Sequence, residues 1–402
     1  MGIKCVKCIY VQKFIWFLKI KRVIKYRIEY CYIRHIKKTI DRVYLYEELK
    51  KLIWNVDIYR IKIYIYIHTV KICLFKNKSI LLYNSKGVEG IMYPIRFENL
   101  YYEKIWGGRD LESFRDNLPE GNIGESWDIA CHPNGTGIIE NGAYKGTKFD
   151  DLIKEYGHSL VGSKVSTKKL PLLIKLINSR EKLSVQVHPG DEYAAKYEGD
   201  YGKTEAWYVM DAKPGATLIV GTKDCTKEQF EVAIKSGEVE KYLNKIEVKK
   251  GDCFLINSGL IHAICEGVII AEIQQNSDVT YRVYDYGRPR EIHVEKALDV
   301  TNFELQSENL KGKEVSFDGY KKSLLCKNEY FGIEQLTIDK TLKGSSEDEK
   351  FDILTCVDGE GTIEGNGYLE KIKMGDSYLI PATLGEYEIK GELTLLKSYP
   401  IV

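Results

Sequence analysis

Leu183-Ser184-Val185-Gln186-Val187-His188-Pro189-Gly190-Asp191 is the stretch whose reading decides this chain. Strand side chains alternate, so Ser184, Gln186 and His188 share one face while Leu183, Val185 and Val187 share the other. Gln and His set against a plain apolar face read as the wall of a β-barrel whose interior is a working cavity. Two further segments extend the set: Gly202-Lys203-Thr204-Glu205-Ala206-Trp207-Tyr208-Val209 and Gly251-Asp252-Cys253-Phe254-Leu255-Ile256-Asn257-Ser258-Gly259-Leu260-Ile261-His262. One carboxylate, two imidazoles and a neutral amide oxygen suit a divalent transition metal such as zinc, with a position open to water or substrate. Alternation around Glu205 leaves the direction of its side chain open.

The formal charge of +1 over 402 residues conceals a split. Residues 1–91 hold 20 basic and 6 acidic groups, a net of +14, and residues 92–402 hold 39 and 52, a net of −13. All nine prolines lie beyond residue 91, and only Gly2, Gly87 and Gly90 precede it. A basic segment can bind nucleic acid or a membrane surface. This one, however, is Lys, Ile, Tyr and Phe scattered without turn punctuation or a sustained amphipathic period. We read residues 1–91 as a doubtful basic leader, upstream sequence translated ahead of a start at Met92. N-terminal sequencing of the endogenous protein tests this, and intact protein beginning at Met1 refutes it. Apolar runs such as Phe14-Ile15-Trp16-Phe17-Leu18 are cut by Lys13 and Lys19, far short of the ~20 residues that span a bilayer. With no cleavage-site pattern either, the expectation is a cytoplasmic protein. The ten cysteines form no disulfide framework, and Cys5 and Cys8 are a C-x-x-C without a second pair.

From Met92 onward, short β-like runs alternate with Gly, Asn and Asp. Strands are expected at 137–140, 172–177, 206–210, 217–220, 253–256 and 268–274. Helices are expected at 150–156 and 226–236, the latter with Thr226 and Gln229 at capping-box spacing and Gly237 as its stop. Gly251-Asp252-Cys253-Phe254-Leu255-Ile256-Asn257 is echoed by Gly375-Asp376-Ser377-Tyr378-Leu379-Ile380-Pro381, but Glu386 stands at the offset of His262. The echo reads as a second, smaller barrel without a metal, reached through a polar connection at 306–320. The expected fold is therefore mainly β, a jelly-roll β-barrel with a few helices at 92–305 and a smaller C-terminal barrel at 306–402.

Gln186-Val187-His188-Pro189, Lys203-Thr204-Glu205, Ser258-Gly259-Leu260-Ile261-His262 and Asn276-Ser277-Asp278-Val279-Thr280-Tyr281-Arg282 together resemble the type I mannose-6-phosphate isomerases, in particular the shorter bacterial form with a cupin fold. Ile105-Trp106-Gly107-Gly108 and Gly124-Glu125-Ser126-Trp127 resemble the family's opening motifs. The resemblance runs from Tyr93 to the end. It implies one Zn²⁺ per chain on Gln186, His188, Glu205 and His262, an active-site arginine at Arg282, and a sugar-phosphate cavity lined by Lys175, Ser184 and Lys203. It also implies interconversion of mannose 6-phosphate and fructose 6-phosphate through a cis-enediol. The long helical insertion of the fungal and enteric forms is absent, since 56 residues separate Glu205 from His262.

That chemistry needs charge stabilised on oxygen while a proton moves between adjacent carbons. Gln186 adds no charge, so Glu205 as sole anionic ligand leaves the cation Lewis-acidic. Arg282 stays charged at any working pH and suits an enediolate better than it suits proton removal. Glu272 shares a face with Gln274 and is the candidate to carry the proton. Trp127 or Trp207 can wall the cavity. Bland readings stand beside these: Arg282 in a buried ion pair with Asp278 or Asp285, Lys175 covering an apolar edge, and His132, His158 and His293 without ligand spacing. A cupin oxygenase would show iron and oxygen uptake. A non-catalytic sugar-phosphate module would bind without turnover, and a DNA-binding leader would lose salt-dependent affinity in a chain starting at Met92. The preferred reading has neither nucleic acid nor membrane as partner and leaves oligomeric state open.

Overall fold

The computed structural model describes residues 91–402 and the backbone of three short strands, Ile63–Ile67, Val70–Leu74 and Ile80–Asn84, which pair antiparallel in sequence order. The rest of the doubtful leader, Cys5 and Cys8 included, lies outside the described residues. The chain divides into two compact units, Met1–Val88 and Glu89–Val402, and the second carries everything below.

Two antiparallel sheets frame the site. One has five strands in the order Leu243–Glu247, Thr217–Thr222, His262–Ile264, Val185–Val187, Tyr281–Tyr284. The other has six, in the order Cys253–Ile256, Glu205–Ala212, Val268–Gln275, Leu172–Ser179, Ile123–Ile129, Leu100–Gly108. Trp207, Val209, Phe254 and Ile270 of the larger sheet meet Leu218, Val220 and Ile264 of the smaller in one apolar layer. The opposite face of the six-stranded sheet, with Leu172, Ile174, Leu176, Ala206 and Ile273, shares a core with Ile333, Leu354 and Leu395 of the C-terminal sheet. Covered on both sides, the strand Leu172–Ser179 is buried at every residue. This is why its sequence runs almost continuously apolar instead of alternating.

The expected jelly-roll β-barrel, and the smaller C-terminal one, are not found. Among the described residues every sheet is open: no further strand pairs to the outer edges of the two framing sheets, and the nine-stranded C-terminal sheet runs from Glu314–Phe317 at one edge to Ile95–Arg96 at the other. Alternation tells which face of a strand is covered, whereas closure depends on whether the last strand pairs back to the first, and that pairing is not local in sequence. The candidate ligands are carried by two open sheets.

Local expectations fare better. Five of the six expected strands form, while 137–140 makes only isolated bridges. Thr226 caps the helix Lys227–Ser236 with a complete capping box, and Gly237 ends it in the left-handed region. The internal echo is physical: Gly251 and Gly375 both have φ 91°, and Asp252 and Asp376 each accept a backbone hydrogen bond, 2.9 Å from the amides of Lys249 and Lys373. Glu386, at the offset of His262, is exposed. Cys131, Cys225, Cys253, Cys265, Cys326 and Cys356 are free thiols, four of them buried. Among the described residues no helix is long and apolar enough to cross a membrane.

One buried ion pair ties the site-bearing half to the C-terminal sheet. Arg115 Nη2 lies 2.6 Å from Asp128 Oδ2 and also donates to the Gly375 carbonyl. Ser126 and Ser377 hydroxyls donate to the same carboxylate at 2.7 and 3.3 Å. Asp128→Ala strands a buried guanidinium, so an unfolding loss of about 3–5 kcal/mol is expected in urea titrations. A loss under ~1 kcal/mol, the range of ordinary surface changes, would refute this role.

Candidate metal centre

The ligand set is assembled across the gap between the two framing sheets. Gln186 and His262 sit directly opposite each other on neighbouring strands of the five-stranded sheet, with Arg282 opposite Gln186 on its other side. His188 follows at the strand's end, where its carbonyl accepts from the Gly259 amide at 2.8 Å. That turn requires glycine: Gly259 has φ 86°, and a Cβ there would come within 2.9 Å of the Val300 carbonyl. Glu205 opens its strand on the facing sheet, between Ile256 and Gln274.

The geometry defines a cation site. His188 Nδ1 is 2.8 Å from the Val279 carbonyl and His262 Nδ1 is 2.9 Å from the Leu260 carbonyl. A carbonyl only accepts, so each Nδ1 carries the proton and each Nε2 presents a lone pair. Those two Nε2 atoms face each other at 3.1 Å, and Glu205 lies 3.6 Å from one and 3.7 Å from the other. Glu205 and His262 are fully buried and His188 nearly so. Glu205 Oε2, despite Lys203 Nζ at 2.8 Å, accepts no well-directed hydrogen bond. Converging lone pairs and a carboxylate in a dry interior repel one another unless a cation lies among them, and the donor set fits a tetrahedral N/O metal. The three ligand atoms lie within 4.8 Å of one another. Gln186 Nε2 is 3.3 Å from His262 Nε2, and turning the amide over places its oxygen there instead.

Burial sets the protonation states. It pushes His262 down to about 3, assisted by His188, and lowers His188 with help from Lys203. Burial alone would raise Glu205, but Lys203 and both imidazoles outweigh it and hold the carboxylate well below its usual range. Glu272 is pushed up to about 7 by burial and by Glu205, tempered by Lys203 and Lys175. Its carboxyl therefore takes up a proton more readily than an ordinary glutamate does.

Trp207, Glu272, Lys175 and Trp127 follow one another in register across the six-stranded sheet. Lys175 is buried beneath three carboxylates, Asp278 at 3.6 Å, Glu125 at 3.8 Å and Glu272 at 4.0 Å, and its ammonium lies 4.5 Å from the Trp127 ring. Lys203 bridges Glu205 and, at 3.9 Å, Glu272. Arg282 Nε donates to Ser184 Oγ at 3.3 Å, and Ser184 reaches Gln186 at 3.5 Å. Arg282 has no carboxylate in ion-pair range among the described residues. Asp285 is taken by Arg288 and Arg290, and Asp278 by Lys175 and Asn134.

The structure also brings Glu125 into the site, and gives polar contacts to Trp127 and Trp207, expected as cavity walls, and to Gln274, expected beside Glu272. The Trp207 indole donates to both Glu205 and Glu272, Glu125 accepts from Trp127 at 2.8 Å, and Gln274 is wholly buried with Oε1 unpaired. The parity of Glu205 with Trp207 was visible in the sequence, but the register that sets Trp207 opposite Glu272 was not.

The fold and site define a β-sheet protein with a buried two-histidine, one-carboxylate metal centre. A family model for the phosphomannose isomerase type I catalytic domain matches residues 95–221, and one for the mannose-6-phosphate isomerase cupin domain matches 321–400, which here form part of the open nine-stranded sheet. Mannose-6-phosphate isomerase ManA of Bacillus subtilis is 35% identical over 316 residues, covering 76% of this chain and 98% of the relative. The mannose-6-phosphate isomerase of Streptococcus mutans is 35% identical over 313 residues, again covering 98% of the relative. The crystal structure of the Bacillus subtilis mannose 6-phosphate isomerase superposes with a TM-score of 0.72 at 36% identity, covering 76% of this chain and 99% of that one. The chain belongs to the type I mannose-6-phosphate isomerases and is an isomerase.

Proposed function

We propose that the chain interconverts D-mannose 6-phosphate and D-fructose 6-phosphate through a cis-enediol, with one zinc ion per chain held by Gln186, His188, Glu205 and His262. The observation that carries this reading is the pair of imidazole Nε2 lone pairs meeting at 3.1 Å beside a buried carboxylate. Bound there, zinc supplies Lewis acidity toward neighbouring sugar oxygens. Glu272 takes the proton from one carbon and returns it to the next, which its position between burial and two ammonium groups supports. Arg282 orients the opened chain and steadies negative charge on oxygen, being a guanidinium with no carboxylate of its own. Ser184 and Lys203 line the cavity, and Lys175 adds a second buried ammonium.

Electrostatics favours an anionic substrate once the cation is bound. Counted as ionised, Glu125, Glu205, Glu272 and Asp278 are balanced by Lys104, Lys175, Lys203 and Arg282. A dication makes the site net positive, and a sugar phosphate is then drawn in.

A coupled assay converting mannose 6-phosphate tests the reading. Chelation is expected to remove activity and Zn²⁺ to restore it. Freshly zinc-loaded protein that turns over no mannose 6-phosphate would overturn the proposal.

A further inference from the structure

Trp207 is a hydrogen-bonding link between the ligand carboxylate and Glu272. Its ring is 1% exposed, and its one N–H lies 2.9 Å from Glu205 Oε1 and 3.0 Å from Glu272 Oε2. On the other side of the same two carboxylates, Lys203 Nζ is 2.8 Å from Glu205 Oε2 and 3.9 Å from Glu272 Oε1. The four groups close a ring: carboxylate, indole N–H, carboxylate, ammonium. The indole also stands edge-on to His262, 77° between planes, so its ring packs against a second ligand while its N–H serves the carboxylates.

An indole has a single donor and no acceptor. Shared between two carboxylates, that donor leans toward whichever carries more charge, because charge-assisted hydrogen bonds strengthen with the acceptor's charge. A divalent cation among His188, His262 and Glu205 draws charge out of Glu205 and leaves Glu272 the better acceptor. We propose that Trp207 is a positioning residue that couples occupancy of the metal centre to the placement of Glu272. In the metal-free protein the N–H is divided between the two carboxylates. With the cation bound it commits to Glu272 Oε2, fixing that oxygen and leaving Oε1 facing the Lys203 and Lys175 ammonium groups. A packing role alone would need only the ring, and Phe supplies most of that.

The kinetic consequence rests on the isomerase reading, whereas the spectroscopic one does not. The indole N–H marker band in ultraviolet resonance Raman, assigned to this residue by its absence from Trp207→Phe, is expected to move on adding zinc to the metal-free full chain. An unmoved band overturns the proposal. Trp207→Phe at saturating zinc is expected to lose about tenfold or more in kcat, the scale seen when a partner of a metal ligand is removed, with KM within about threefold. Wild-type kcat in this variant also overturns it. Should Trp207→Phe not fold, Glu272→Gln decides on the chain's indole N–H bands taken together: their zinc-induced shift, with the competing charge gone, is expected to shrink, and a shift equal to wild type refutes the coupling. Absence of mannose 6-phosphate turnover in wild-type protein would sink the isomerase reading while leaving the Raman result to judge this one.

Discussion

Glu205→Gln is expected to lose bound metal and isomerase turnover together. Glu205 is the sole anion among the four proposed ligands, and it is fully buried. The amide keeps the side chain's shape and an oxygen that can coordinate, so the change isolates charge. Apparent zinc affinity should fall by at least ~100-fold, the upper end of what even outer partners of a ligand contribute. Turnover should fall with it at sub-saturating zinc. Metal analysis of desalted protein and competition with a chromophoric chelator measure the effect, and a variant that keeps stoichiometric zinc with affinity within threefold of wild type contradicts the assigned ligand set. A second consequence follows from Lys203. Its ammonium, desolvated by burial, is held well above its ordinary pKa by Glu205 and then Glu272. With Glu205 neutral, a buried ammonium keeps only the carboxylate at 3.9 Å, and stability should drop by several kcal/mol. Adding Lys203→Met to Glu205→Gln should recover much of that stability and none of the zinc.

The site was legible where its information is local. Gln186 and His188 are two residues apart, so alternation alone puts them on one face, and the turn before His262 announces itself through Gly259. The capping box at Thr226 and the repeated Gly-Asp turn are local for the same reason. What could not be read is what depends on pairing between distant segments. Trp207 and Glu272 are 65 residues apart and meet because two strands pair in one particular register. The sheets remain open for reasons of the same kind, since nothing within the strand Leu100–Gly108 or Cys253–Ile256 states that no further strand adds to its outer edge. The ambiguity over Glu205 shows the boundary well. Ala206 and Tyr208 alternate with it as apolar residues, yet Trp207 and Val209 are apolar too, because this strand is covered on both faces by different layers. A two-sided core erases the alternation that would have oriented the ligand.

Arg282→Met separates chemistry from architecture in the opposite sense to Glu205→Gln. The guanidinium is held by the Ser184 hydroxyl at 3.3 Å and by the Glu291 carbonyl at 2.8 Å, both neutral acceptors. Burial and the nearby Arg290 pull its pKa below the usual arginine value, so its surroundings contribute no net attraction to the charge. A cation kept next to Gln186 without a carboxylate costs the fold something and supplies it little, which makes sense if its counter-charge arrives with the substrate. The variant should therefore retain zinc, unfold within ~1 kcal/mol of wild type, and lose about 10²–10³ in kcat, the scale of removing one donor aimed at developing negative charge. Arg282→Lys should recover only part of this, because a single ammonium cannot hold both neutral acceptors and still present a planar fork to the sugar. Were Arg282→Met to lose stability in proportion to its activity, or to keep full kcat, the arginine would be a structural brace for the 282–293 segment. Negative charge developing on the sugar oxygen would then have to be steadied by the metal site and Lys203, with Glu272 still carrying the proton.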